Sequence, residues 1–212
     1  MSTRREVQLL ETNQPRQDRA KRTYEAILAA AAELLVEVGV ERISTNLIAE
    51  RAGITVPALY RYFPNKYSVM HALGAKLMDQ QNDVFHQWFE SSFKEDDPLS
   101  LLDSVYELLQ LTCDVTRQQP GGLEIIQALR AVGPLQELRL TSHRLVGGQL
   151  AEVLAEVLVR DKEEIALAAR VSVEVGYSVV EMALEDDSVD TEQVLRQGSL
   201  MVRLYWHNLL GP

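Results

Sequence analysis

The chain has 212 residues, enough for one large domain or a small one joined to a larger, and its 46% hydrophobic content excludes a globally disordered protein. A single cysteine, Cys113, excludes an internal disulfide framework and a cysteine-cluster zinc site. The net charge of −10 is unevenly placed: residues 1–70 hold ten Lys/Arg against eight Asp/Glu, residues 71–212 eleven against twenty-three. Only the first region can approach phosphates without strong repulsion.

Residues 1–17 read as a flexible polar arm carrying Arg4, Arg5 and Arg16. The arm lacks the apolar run of a secretory signal, and the longest uncharged apolar stretch, Ala26 to Ala32, is too short to span a bilayer. A cytoplasmic protein that does not enter membranes is expected. Beyond the arm, helical spacing prevails and no alternating apolar–polar run occurs, so the predicted fold is all-α. Ile27, Leu28, Ala31, Leu34, Leu35 and Val38 form one helical stripe, and Gly39 is expected to stop that helix. Short segments begin at Thr45, ending at Gly53, and at Thr55, ending before Pro64. A long helix from about Lys66 to Phe93 follows, with Asn65 as N-cap. Asp96, Asp97 and Pro98 break the chain; Leu99 to Arg117 is apolar on almost every side and predicts a buried helix.

A turn at Gln118 to Gly122 leads to a short helix, Leu123 to Val132. Gly133 and Pro134 precede a long helix to about Arg160, in which Gly147 and Gly148 mark either a kink or close packing. Asp161 and Glu164 resemble a capping box opening a helix to about Leu184. An acidic linker, Glu185 to Asp190, precedes the last helix, about Thr191 to Leu210.

The stretch from Ile43 to Lys66, ISTNLIAERAGITVPALYRYFPNK, places Ile48, Ala49, Gly53, Ile54, Leu59 and Tyr62 at helix-turn-helix spacing. An ordinary helical hairpin shares some of that spacing. The run ALYRYFPNK, preceded by IAERAGI and a long amphipathic helix, goes further: over residues 18 to 70 it resembles the DNA-binding domain of TetR/AcrR-type repressors. The resemblance implies a three-helix DNA-binding domain at 18–65 and a helical ligand-binding and dimerisation domain at 66–212. It also implies a homodimer on a palindromic operator in double-stranded DNA, released by a small hydrophobic or amphipathic inducer.

By the same resemblance, Thr45 would hold a phosphate and Asn46 would reach a base edge. Thr55 would cap the recognition helix, nine residues from Thr55 to Phe63, with Val56, Pro57 and Ala58 at its groove-facing start. Those three cannot donate to bases, so readout would lean on thymine methyls and DNA shape. Tyr60, Tyr62 and Lys66 match phosphate-contacting positions. Lys66, a cation in the first turn of a helix, opposes the macrodipole unless a phosphate lies nearby. Arg61 would touch phosphate or stay solvated, and the arm's Arg4, Arg5, Arg16 and Arg19 could add contacts or merely solubilise.

In the second region Ala169, Ser172, Gly176, Val180 and Ala183 form one stripe of small residues. Val194, Gly198, Val202, Tyr205 and Leu209 form another. They pack either within the chain or, as in the resembled family, against a twofold mate. Polar residues on buried helices are the pocket candidates: Tyr106, Gln110 and Cys113 on one face, then Trp88, Gln127, His143, Arg170, Glu174 and Tyr177. Arg170 and Glu174 would equally form an i,i+4 pair.

Two other functions compete. An α-helical enzyme needs a catalytic constellation, and no HExxH, nucleophile elbow, P-loop or dinucleotide fingerprint occurs, so no catalytic residue, metal or cofactor is expected. A protein-binding adaptor would expose an apolar patch on the Thr55–Phe63 helix, where Tyr60, Arg61 and Tyr62 stand instead. A gel-shift against DNA flanking the protein's own gene separates the three.

Overall fold

A computed structural model of the chain describes residues 17–94 and 96–210. The arm arginines Arg4, Arg5 and Arg16 lie outside these residues. Among the described residues nine α-helices and one 3₁₀ segment account for the fold, and there is no strand.

Helix α1 (Asp18–Arg42) buries Ile27, Leu28, Ala31, Leu34 and Leu35, the predicted stripe. Gly39 does not end it outright. Its φ of 73° and ψ of 170° break the helix, which resumes for one turn to Arg42. Ser44 then caps α2 (Thr45–Arg51), its Oγ accepting from Leu47 N at 3.3 Å. Gly53 turns the chain with φ 66°, which its missing Cβ permits. Thr55 caps α3 (Val56–Leu59), its Oγ1 accepting from Ala58 N at 3.3 Å. The expected nine-residue recognition helix is thus four residues of α-helix. Tighter turns carry it on, with Arg61 N donating to Ala58 O and Tyr62 N to Leu59 O. Pro64 sets the limit of the segment, since it disfavours helical backbone at Phe63.

Asn65 caps α4 (Lys66–Ser92), its Oδ1 accepting from Tyr67 N at 2.8 Å and Ser68 N at 3.0 Å. The predicted helix from Leu99 divides into a 3₁₀ segment (Pro98–Ser104) and α5 (Val105–Gln118). Contrary to expectation, α5 is not buried all round: Gln110 and Leu111 face solvent. Then come α6 (Gly122–Ala131), α7 (Gly133–Leu158), α8 (Lys162–Glu185) and α9 (Thr191–Leu210). Asp161 Oδ1 caps α8 by accepting from Glu163 N and Glu164 N.

The chain forms two compact units, each with its own core. One gathers the described residues up to Met78 with Gln118–Arg139; the other gathers Asp79–Arg117 and the residues from Leu140 onward. In the first, Leu35, Ile48, Leu59, Phe63 and Leu73 pack with Ile125 and Leu129 of α6. The sequence groups α6 with the second region, but its glycine start explains this place. A Cβ on Gly121, whose φ is 67°, would stand 2.9 Å from Ala32 O of α1. In the second unit Phe85, Trp88, Val105, Leu109, Val146, Ile165, Ala168 and Trp206 form the core. Gly147 serves close packing: a Cβ there would meet Arg170 Cα at 3.5 Å. No helix among the described residues is long and apolar enough to cross a membrane.

Candidate DNA-binding surface and effector cavity

The start of α2 and the end of α3 are tied by side chains. Thr45 Oγ1 and Tyr60 Oη lie 3.2 Å apart, and half of Tyr60 remains exposed. Asn46, Thr55, Pro57 and Arg61 are exposed, whereas Val56, Ala58 and Tyr62 are half-buried. Val56 and Tyr62 pack against the first core, and the Tyr62 ring lies 6.4 Å from that of Tyr24, edge-on. Each therefore divides its surface between core and solvent. Pro57 falls in the first turn of α3, where its missing N–H costs no hydrogen bond.

Arg51, which the sequence pattern does not single out, fixes α2 against α1. Its guanidinium donates to both carboxylate oxygens of Glu37, at 2.8 and 2.6 Å, and to Glu33 at 3.1 Å. Donation from Arg51 holds the Glu37 carboxyl below the usual carboxylate range. These groups are solvated, so the cluster orients α2 more than it stabilises it.

Lys66 is engaged within the fold. Its Nζ donates to Val40 O at 3.2 Å, Glu41 O at 3.2 Å and Ile43 O at 3.1 Å. Those carbonyls close the short turn after the Gly39 break, where a helix end leaves acceptors unsatisfied and carries negative partial charge. The cation in the first turn of α4 is thus matched to the end of α1. An ammonium has three hydrogens, and all three have partners here.

In the second unit α4, α5, α7, α8 and α9 enclose a cavity of about 760 Å³ of empty space, counting its open mouth. Phe85, Trp88, Leu109, Leu150, Val180 and Trp206 are among its apolar walls, and none of its lining residues is charged. Of the predicted pocket residues, Trp88 and Tyr177 line it. Tyr106, Gln110 and Cys113 do not, because α5 turns Val105, Leu108, Leu109 and Thr112 to the cavity instead. Tyr106 lies under the guanidinium of Arg196, 4.7 Å from the ring centre, Gln110 is exposed, and Cys113 is packed in the core. Burial pushes the Cys113 thiol up, as suits an inert side chain. Gln127 is exposed on α6 in the other unit.

His143 stands one layer behind the wall, its ring stacked on Tyr177 at 4.0 Å and its Nδ1 3.1 Å from Glu174 Oε1. Burial drives the Tyr177 phenol strongly up and keeps it neutral. Arg170 and Glu174 form the i,i+4 ion pair. Gln81 and Thr112, which also line the cavity, escaped the sequence-based choice.

The small-residue stripes face inward. Ala169, Ser172, Val180, Ala183, Gly198 and Val202 are buried within the unit, and Ser172, Gly176, Val180 and Val202 line the cavity. Close packing inside the chain accounts for their size. Only Tyr205 of the predicted interface set is exposed; beside it in that state are Leu167, Val171 and Met182 of α8 and Met201 and Leu204 of α9.

A profile of bacterial regulatory proteins of the tetR family matches residues 27–73, and a tetracycline-repressor-like C-terminal domain profile matches residues 99–206, half of the chain. The chain belongs to the TetR family. Among characterised members, the class C tetracycline repressor protein of Escherichia coli is 43% identical over 54 residues, 26% of this chain and 25% of that protein. The transcriptional repressor BepR of Brucella suis is 31% identical over 117 residues, 55% of each chain. The matches span between a quarter and about half of these relatives' lengths. A TetR-family regulator from Syntrophomonas wolfei superimposes with a TM-score of 0.70 at 13% identity, covering 90% of this chain and 96% of that one. SmeT in complex with triclosan does so with a TM-score of 0.63 at 20% identity, covering 85% and 89%. At such identities the likeness is one of fold.

Proposed function

We propose that this TetR-family chain is a cytoplasmic, homodimeric repressor without enzymatic activity, which binds a palindromic operator and leaves it when a small hydrophobic molecule fills the second-unit cavity. The observation that carries this is the capped helix-turn-helix, in which Thr45 and Tyr60 are held together at solvent-exposed helix ends. Asn46, Thr55, Pro57, Ala58 and Arg61 would take the remaining groove and phosphate contacts, with Val56 and Tyr62 contributing only their solvent-facing edges. BepR is named a transcriptional repressor, and the SmeT structure holds triclosan; both support the reading. The cavity is largely apolar with a few polar groups, the character of a small-molecule site.

The dimer would use the outer faces of α8 and α9, not the small-residue stripes. Leu167, Val171 and Met182 recur along α8, and Met201, Leu204 and Tyr205 along α9, all turned to solvent. Exposed large apolar side chains recurring on two helices are what an interface would cover. Two recognition helices on one twofold axis also match two half-sites. Introducing Met201→Glu together with Leu204→Glu should give a folded monomer by light scattering at micromolar concentration, with operator binding lost. A persistent dimer in that variant would place the interface elsewhere.

A further inference from the structure

Most polar atoms of the cavity wall are committed to partners within the fold. Trp88 Nε1–H donates to Ser104 O and Oγ, both at 3.0 Å. Trp206 Nε1–H donates to Ser172 Oγ at 2.9 Å, and Ser172 in turn donates to Ala168 O at 2.9 Å. The Thr112 hydroxyl donates to Leu108 O at 2.8 Å, and the Tyr177 phenol is hydrogen-bonded to Ser142.

Gln81 is the exception. It is 1% exposed, and its Nε2 donates to Thr116 Oγ1 at 2.8 Å. The Thr116 hydroxyl hydrogen is itself committed to Thr112 O at 2.7 Å, so Thr116 Oγ1 can only accept from Gln81. The amide is thereby held with its NH2 toward Thr116. Its other end, Oε1, is buried in a residue of the cavity wall and has no partner. A buried acceptor left without a donor is costly, and a ligand donor relieves that cost.

We propose, on the reading of the cavity as the effector site, that Gln81 Oε1 is the polar anchor of the ligand and that the ligand is a neutral apolar molecule bearing a hydroxyl or N–H donor. The wall offers a carboxylate no counter-ion, and the unpartnered Gln81 Oε1 repels it; it offers an ammonium no opposing charge. The selectivity is thus written by Thr116, which fixes the amide, and read by Gln81.

The test uses three probes of one apolar body: 4-butylphenol, its methyl ether 4-butylanisole, and 4-butylbenzoate, titrated calorimetrically into the full-length protein at pH 7.5. The phenol should bind about tenfold or more tighter than the ether, and the benzoate more weakly than either. Gln81→Met should lower phenol affinity to that of the ether while leaving the ether's unchanged. Thr116→Val, outside the cavity wall, should shrink the phenol preference by freeing the amide to turn over. Equal binding of phenol and ether, tighter binding of the benzoate, no binding of the phenol, or a preference that survives Gln81→Met overturns the assignment. Operator release is measured separately: a phenol that binds with the stated preference yet leaves DNA bound sinks the effector reading alone. Release by the ether as readily as by the phenol sinks the anchor alone.

Discussion

Gly198→Leu should destabilise the second unit by about 3 kcal/mol, the upper end of ordinary overpacking costs. A Cβ built on Gly198 would stand 2.5 and 2.6 Å from the two Cγ atoms of Val179 and 3.0 Å from its Cβ. Val179 is β-branched and on α8, so it has no rotamer through which to withdraw easily. Even Gly198→Ala should destabilise, although the same change in an open helix stabilises by roughly 0.5–1 kcal/mol. Adding Val179→Ala to Gly198→Ala should recover much of the loss, giving a favourable coupling energy in the double-mutant cycle. Thermal unfolding of the four proteins provides the check. A Gly198→Ala protein as stable as its parent would show that α8 and α9 are not held at this separation.

Lys66→Met is expected to lower stability by about 1–2 kcal/mol, because three charge-assisted hydrogen bonds to the last carbonyls of α1 vanish while water partly replaces them. For a chain of this size that is a fall in melting midpoint of roughly 2–8 °C. Operator affinity should fall too, since α4 loses its tie to the end of α1. Its salt dependence should stay unchanged, because a lysine that neutralises no phosphate releases no counterion. The alternative has a distinct signature: a slope smaller by about one, with an unshifted melting midpoint, would restore the phosphate role that the family resemblance implies for Lys66.

The helix-turn-helix was legible because its determinants are local. Thr55 and Asn65 cap the next turn, and Gly53 takes its positive φ, within a few residues of one another. Lys66 was not, since its carbonyl partners lie about 25 positions earlier in the chain. The small-residue stripes of α8 and α9 correctly signalled close approach, but size alone does not say whose helix approaches. Val179 answers for Gly198, and Leu109, 3.3 Å from a Cβ on Gly176, answers for that residue.

On α5, Tyr106, Gln110 and Cys113 stand out in the sequence as polar interruptions, whereas the threonines of the buried face do not. Thr112 and Thr116 each donate to a carbonyl four residues back, which lets Thr112 stand in the apolar wall and Thr116 behind it. Gln81 was hidden among the polar residues of a long amphipathic helix. Only packing reveals that it alone of the wall's polar side chains keeps a buried atom unpartnered.

The central claim is that two copies of the Ser44–Lys66 unit read a palindrome, and selection from a random double-stranded DNA pool tests it most directly. The full-length protein should enrich one inverted repeat whose half-sites are related by the twofold axis of the dimer. Affinity for that repeat should fall steeply between about 50 and 200 mM salt, as phosphate contacts release counterions. Tyr60→Phe, which removes the hydroxyl paired with Thr45 at the exposed helix ends, should weaken binding without shifting the melting midpoint. Enrichment of no inverted repeat, with the protein folded and dimeric in the same buffer, would contradict the account.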